Sequence, residues 1–181
     1  EHGRVFQATF IPENIKLLEQ IAEKMAQAFQ RGNKILLCGN GGSAADAQHI
    51  AAEFIGRFNR DRKSLPAIAL TTDSSILTAI ANDYSYEAVF SRQIEGLGEK
   101  GDVLIAISTS GNSKNVIEAA KKAKELEITV IGFTGKTGGE LKKYADLNFF
   151  TQSDKTPYIQ EMHTTALHAV SEAVEQILFP S

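Results

Sequence analysis

The sequence predicts an α/β protein with a three-layer, doubly wound parallel sheet and long helices near both ends of the chain. Short apolar runs typical of buried strands alternate with longer segments that repeat apolar residues at helical spacing. The run Lys34–Cys38 leads into a glycine cluster, and the run Asp102–Ile107 leads into a serine-rich turn. Parallel strands end at one edge of a sheet, so both turns are expected where such folds bind ligands.

The elements follow in chain order. Pro12 suits the first turn of a helix over Glu13–Gln30, and Gly32 suits its end. The other predicted strands are Ala67–Leu70, Ile128–Phe133 and Asp146–Phe150. The other predicted helices are one capped by Ser43 that runs to about Phe58, one that begins at Asp73, Asn112–Leu126, a short helix after Gly138-Gly139, and Thr156–Leu178.

Length and composition indicate one globular domain over residues 1–181. At roughly 150 residues per domain, 181 residues make a single core. The net charge of −3 offers no electrostatic footprint for nucleic acid. No apolar run approaches the ~18 residues of a membrane helix, so no membrane association and a cytoplasmic location are expected. The N-terminal helical segment, residues 1–32, is expected at an interface with another subunit.

Among the side chains that commonly bind transition metals, the chain has one cysteine and four histidines. The single cysteine, Cys38, excludes an intrachain disulfide framework and any multi-cysteine zinc site. Four histidines remain as candidate ligands or proton carriers: His2, His49, His163 and His168. Any metal site is therefore expected to use nitrogen and oxygen ligands.

The first turn, Cys38–Ser43, resembles an anion-binding loop. Its glycines allow close backbone approach, and the helix N-terminus that follows offers free N–H groups. Gly39, Gly41 and Ala44 also satisfy the dinucleotide fingerprint, but the acidic residue that should follow about 20 residues later would have to be Asp73, which is too distant. No Walker lysine follows. A simple strand-to-helix turn is the alternative interpretation.

The second turn carries four hydroxyl groups within six residues. They belong to Ser108, Thr109, Ser110 and Ser113, at the end of one strand and the start of a helix. Hydroxyls and backbone N–H groups suit a phosphate monoester. A capping turn is the alternative.

Acidic residues and histidines share helix faces at two places. His49 and Glu53 are four residues apart, close enough to share a metal or a substrate, although a surface pair has the same spacing. On the last helix, an ideal wheel puts Glu161 within about 20° of His168, Gln160 about 80° away and His163 about 140° away. Helical geometry alone thus favours Glu161 as the partner of His168.

Four stretches together resemble the phosphoheptose isomerases, a branch of the sugar isomerase (SIS) superfamily. They are CGNGGSAADAQHIAAEF from Cys38, LPAIALTTDSSILTAIANDYSYEAVFSRQ from Leu65, GDVLIAISTSGNSKNVIEA from Gly101 and IQEMHTTALH from Ile159. Tyr158 departs from the pattern, since many relatives have a basic residue there, which puts any basic contact at this position in doubt.

The resemblance implies an isomerase that converts sedoheptulose 7-phosphate into D-glycero-D-manno-heptose 7-phosphate, the entry to nucleotide-activated heptose for the cell envelope. It further implies a cytoplasmic homotetramer with sites between subunits. One Zn²⁺ per subunit would be held by His49, Glu53, Gln160 and His168. The substrate-binding residues would be Asn40, Gly41, Gly42, Ser43, Glu53, Arg57, Asn82, Asp83, Ser108, Thr109, Ser110, Ser113 and Gln160.

The residue types also fit the chemistry. Moving a carbonyl between C2 and C1 through an enediol needs a base and an acid, for which Glu53 and His168 are the candidates. A zinc-bound carboxylate is a weaker base, so Glu53 either uses one oxygen for each task or leaves the metal during turnover.

Three alternatives compete with this interpretation. The chain also resembles a non-catalytic SIS protein that binds the replication initiator, but that form lacks the equivalents of Glu53 and His168, which are present here. A regulatory sugar-phosphate-binding module usually carries a further domain that this sequence does not show. A dinucleotide enzyme lacks its acidic residue.

Overall fold

The computed structural model describes residues 1–180 and confirms the predicted α/β class. Within these residues the five strands are β1 (Ile35–Cys38), β2 (Ala67–Ala69), β3 (Val103–Ser108), β4 (Thr129–Thr134) and β5 (Leu147–Phe150). The seven α-helices are α1 (His2–Thr9), α2 (Pro12–Gln30), α3 (Gly42–Ile55), α4 (Ser74–Asp83), α5 (Ser91–Leu97), α6 (Lys114–Glu125) and α7 (Thr156–Leu178). Two 3₁₀ turns lie at Tyr86–Ala88 and Leu141–Lys143.

All strands run parallel in the order β2-β1-β3-β4-β5. The chain starts in the interior of the sheet at β1, crosses to the edge strand β2 and returns to β3 on the other side of β1. The strand order therefore reverses between β1 and β3, which is the position where ligands bind in doubly wound folds.

Alternate strand residues face the two helical layers. Ile35 and Leu37 pack into the core formed with α2, α3 and α7, whereas Leu36 and Cys38 pack into the core formed with α5 and α6. Both faces of the sheet are covered, which explains why the strands are continuous apolar runs.

Several predicted boundaries are confirmed. Pro12 is the first residue of α2, and Gly32 ends the helix with φ +83°. Asp73 caps α4, its carboxylate accepting a hydrogen bond from the Ile76 N–H at 2.9 Å. The last helix has the predicted bounds, Thr156–Leu178.

Other boundaries need correction. The helix α3 ends at Ile55 rather than near Phe58, because Gly56 leaves helical geometry with ψ −108°. The turn after Gly138-Gly139 is a single 3₁₀ turn. The helices α1 and α5, only eight and seven residues long, were not predicted as separate elements.

The helix α2 buries its apolar face within the chain, against α7 and β5. The contact of residues 1–32 with another subunit stays a prediction. Across residues 1–180, no helix has both the length and the apolar character needed to span a membrane.

Candidate active site

The two predicted turns lie together at the carboxyl edge of β1 and β3. They border a cavity of about 270 Å³ at the switch point. Its lining is Asn40, Gly41, Gly42, Ser43, Ile107, Ser108, Thr109, Ser113, Thr156 and Gln160. Seven of the predicted substrate-binding positions in these two turns and one on α7 therefore share one cavity.

Gly41 fixes the shape of the first turn. It is the N-cap of α3 with φ +57° and ψ −121°, a conformation that L side chains rarely adopt. Ser43 is therefore not the cap, as the sequence analysis expected, but a buried residue inside α3 whose N–H donates to the Asn40 carbonyl. A Cβ at Gly42 would overlap the Gln160 amide, so this glycine permits close approach of α7.

The Asn40 side chain is held by two residues that the sequence analysis missed. Asn40 and Asn115 exchange hydrogen bonds of 2.9 and 2.8 Å through their carboxamides. The Tyr86 hydroxyl donates to Asn40 Oδ1 at 3.1 Å. Asn115 lies in the quoted segment after β3, so its amide beside the serine turn was an available signal.

The second turn presents its hydroxyls at the start of α6. Ser108 donates to the Ser113 hydroxyl at 3.0 Å, and Ser110 accepts from the Asn112 N–H at 3.1 Å. Because the N-termini of α3 and α6 flank the cavity, their partial positive charge favours an anion there.

Three successive contacts join α3 to α7. Gly42 meets Gln160, the Asp46 carboxylate accepts a hydrogen bond of 2.9 Å from Thr164, and His49 meets His168. Both residue numbers increase along the series, so the two helices run side by side in the same direction. The three contacting residues of α7, Gln160, Thr164 and His168, are spaced four apart and so form one of the side-chain ridges along which helices pack.

His49, Glu53 and His168 form one cluster at the far end of this contact. Their ligand atoms all lie within 4.8 Å of one another. His49 Nε2 lies 3.1 Å from Glu53 Oε1 and 3.4 Å from His168 Nε2. The Phe58 ring stacks on His168 with a centroid distance of 5.6 Å. Two imidazoles and a carboxylate match the nitrogen and oxygen ligands of catalytic zinc sites.

Asp46 is a further acidic group beside this cluster. Burial raises its pKa, while the Thr164 hydrogen bond and the nearby His49 and His168 oppose that rise. Its Oδ2 atom has no hydrogen-bond partner among the described residues. Its spacing of three residues from His49 places it on the same face of α3, and that spacing could have identified it from the sequence.

The helical-wheel preference for Glu161 is wrong. Glu161 is exposed and pairs with His2 at 2.5 Å, whereas Gln160 faces α3. The wheel failed because α3 packs along residues of α7 that are spaced four apart. Such a row turns slowly around the helix axis, so Gln160 and His168 both contact α3 although an ideal wheel separates them by about 80°. His163 is fully buried away from the cluster.

The remaining candidates lie outside these contacts. Arg57 is exposed in the loop after α3, and Asn82 and Asp83 are exposed at the end of α4, bonded to each other at 2.8 Å. Cys38 is buried, and burial raises its pKa to about 12, so it supplies no thiolate.

Comparisons with known proteins agree with this geometry. A family model for the SIS domain matches residues 3–135, which defines the class of protein. A phosphoheptose isomerase of Clostridium acetobutylicum is 57% identical over 165 residues, covering 91% of this chain and 84% of that protein.

Solved structures give the same result. The phosphoheptose isomerase GmhA from Neisseria gonorrhoeae has a TM-score of 0.89 at 45% identity, covering 97% of this chain and 93% of that one. A phosphoheptose isomerase from Francisella tularensis has a TM-score of 0.89 at 35% identity, with coverages of 96% and 91%. The chain belongs to the phosphoheptose isomerase family and is an isomerase enzyme.

Proposed function

We propose that the protein converts sedoheptulose 7-phosphate into D-glycero-D-manno-heptose 7-phosphate, the first step toward ADP- or GDP-activated heptose for lipopolysaccharide or capsule. The observation that carries the proposal is the arrangement along the α3–α7 contact. An anion-suited cavity lies at one end, near Gly42, and an acid–base cluster lies at the other, near His49. A phosphosugar isomerase needs both, because the carbon chain of its substrate separates the phosphate from the carbonyl that reacts.

The phosphate is assigned to the hydroxyl turn. Ser108, Thr109, Ser110 and Ser113 offer donors beside the N-terminus of α6. Asn40, Gly41 and Gly42 of the first turn, together with Ser43 and Gln160, are proposed to bind the sugar. Arg57, Asn82 and Asp83 are proposed as additional contacts, as the family resemblance implies.

Glu53 and His168 are proposed to move the protons. Glu53 removes a proton from the carbon beside the carbonyl, and His168 donates a proton to the carbonyl oxygen to give the enediol. In the second half of the reaction Glu53 returns its proton to the former carbonyl carbon, and His168 takes the proton from the hydroxyl on the neighbouring carbon, which gives the aldose. The approach of both side chains to His49 shows that they reach a common small volume.

The three clustered side chains, His49, Glu53 and His168, are proposed as ligands of one Zn²⁺ ion, and Gln160, which faces Gly42 at the other end of the contact, is proposed as the fourth. When bound, zinc would polarise the carbonyl and stabilise negative charge on the enediolate. Gln160 lies two helical turns before His168, so its amide is the ligand that needs the largest adjustment.

A homotetramer in the cytoplasm is also part of the proposal. The helix α4, which carries Asn82 and Asp83, has no buried residue. Its Ile76 is exposed, as are Ile55 and Ile68. Exposed apolar side chains, one of them on the helix that carries two proposed substrate contacts, support contact with a second copy of the chain there.

Two substitutions test the proton transfers. Glu53→Gln and His168→Gln should each lower kcat on sedoheptulose 7-phosphate by more than ~10²-fold, since each removes an acid–base group. Glu161→Gln and His2→Gln are matched controls, because this exposed pair lies outside the cluster and should keep wild-type turnover. Near-wild-type turnover in either test variant would exclude its assigned role.

A further inference from the structure

A buried ion pair lies behind the acid–base cluster. Arg62 follows α3 and Glu175 lies in α7, and their side chains are only 2% and 1% exposed. Arg62 Nε donates to Glu175 Oε1 at 2.9 Å. Neither residue belongs to the motifs that carry the family resemblance.

The guanidinium of Arg62 caps the end of α3. Its Nη2 donates to the carbonyl of Glu53 at 2.7 Å, and its Nη1 donates to the carbonyl of Phe54 at 2.8 Å. The last carbonyls of a helix have no partner within the helix, so a buried cation here fixes where the final turn ends. One of the two fixed residues is the proposed base.

The carboxylate of Glu175 fixes the loop that follows. It accepts the Phe58 N–H at 3.1 Å and the Asn59 N–H at 2.9 Å. The Phe58 ring stacks on His168, which lies two turns before Glu175 on the same helix. The other half of the ion pair is therefore linked to the proposed acid.

We infer that Arg62 and Glu175 are positioning residues for the isomerisation, holding Glu53 through its carbonyl and His168 through Phe58. The inference rests on the proposed function, because it concerns how that acid–base pair is held. Glu53 and His168 lie on different helices, so their separation depends on what joins the end of α3 to α7. The ion pair supplies that connection from outside the cluster.

Asp102 offers a matched control. It is also buried, accepts the N–H groups of Lys34 and Glu99 at 3.0 and 2.9 Å, and pairs with the Lys34 ammonium at 2.8 Å. It precedes β3, and within residues 1–180 its side chain contacts only Asn33, Lys34 and Glu99, none of which belongs to α3, α7 or the loop between α3 and β2. Asp102→Asn and Glu175→Gln therefore make the same chemical change in similar networks, one with no side-chain contact to the helices that carry the site and one linked to both of them.

The experiment compares these two variants by three readouts. In Glu175→Gln, the ring-proton NMR signals of His168 should shift, because the stacked Phe58 is released. The affinity for Zn²⁺ alone, measured against a chromogenic chelator, should fall roughly 10- to 100-fold, the usual effect of losing a supporting contact. With sedoheptulose 7-phosphate, kcat should fall at least tenfold with KM within about twofold, because the phosphate cavity is at the other end of α3. Asp102→Asn should change none of these.

The outcomes separate the two proposals. A folded Glu175→Gln protein with wild-type His168 signals, Zn²⁺ affinity and kcat overturns the inference, as does a change in melting temperature alone. If Glu175→Gln does not fold, Phe58→Leu keeps the ion pair and removes only the ring, and wild-type His168 signals and kcat there overturn it. If the wild type does not turn over the heptulose, the proposed function fails, while the NMR and Zn²⁺ readouts still decide the positioning role.

Discussion

His163 is buried in α7 with its ring edge against Phe133. Its Nε2 donates to the Thr134 carbonyl at 3.1 Å, and its Nδ1 has no partner within residues 1–180. Burial lowers its pKa from 6.5 to about 4, against the opposing effect of the Thr134 hydrogen bond. The folded protein therefore holds this histidine neutral at pH values where the unfolded chain binds a proton.

This difference predicts a pH-dependent loss of stability. As the pH falls below 6.5, the unfolded state gains a proton that the folded state does not take until about pH 4, so stability is lost across that window. Between pH 7 and pH 5 the wild type should lose about 2 kcal/mol more unfolding free energy than His163→Gln. Urea denaturation at a fixed protein concentration measures it. His2→Gln should behave as the wild type; equal losses in wild type and His163→Gln would contradict the assignment.

Individual residues show where sequence reasoning succeeded and where it stopped. The His49–Glu53 spacing was enough to predict that the two side chains lie together, because four residues along one helix fix their separation, but it left a surface pair open as the alternative. Choosing between Gln160 and Glu161 required knowing which side of α7 faces α3. An ideal wheel carries no information about a neighbouring helix, and the choice it favoured was wrong.

The contact between α3 and α7 determines how far apart the two ends of the site lie. Its middle contact is the hydrogen bond from Thr164 to Asp46. The other oxygen of Asp46 already lacks a partner in residues 1–180, so this bond is the one side-chain contact that satisfies the carboxylate there.

Thr164→Val should therefore destabilise the fold by about 1–3 kcal/mol, the usual range for a hydrogen bond to a carboxylate, here half-buried. The neighbouring Thr165→Val is the matched control, because the Thr165 hydroxyl is exposed and bonds only to the Glu161 carbonyl of its own helix. Denaturant midpoints of both variants measure the difference. A loss in Thr165→Val equal to that in Thr164→Val would show that the contact with Asp46 has no special role.

Secondary structure elements were predictable in proportion to their length and burial. The strands β1 and β3 are fully buried apolar runs and the helices α2 and α7 are long, and their bounds were predicted within one or two residues. The helices α1 and α5, which were not predicted, are only eight and seven residues long, so an apolar pattern at helical spacing barely repeats within them. The end of α3 was misplaced because Gly56 leaves helical geometry and the Arg62 guanidinium, from the loop that follows, binds the last carbonyls of the helix.

In the molecule as a whole, one helix pair, α3 and α7, connects the cavity between the two turns to the histidine cluster. The strand order brings the turns after β1 and β3 together, and the α3–α7 contact extends from them to the histidine cluster. The fold class followed from alternating patterns, whereas the distances across the site depend on packing that no local pattern encodes.

The proposed assembly is tested by mass. Light scattering should give four times the chain mass of 19.7 kDa, the tetramer that the family resemblance implies, with the exposed α4 face covered by another copy. Replacing the exposed Ile76 with Asp should shift the mass downward, while the same change at Leu97, also exposed but on α5, should have less effect. A monomer at micromolar concentration would contradict the tetramer.

The cavity and the cluster together are proposed to isomerise a seven-carbon ketose phosphate. The most direct measurement is NMR of the wild-type protein with sedoheptulose 7-phosphate and Zn²⁺. We expect the ketose signals to be replaced by the anomeric signals of the corresponding aldose 7-phosphate until the two reach equilibrium. A folded, zinc-supplied protein that forms no aldose would contradict the account.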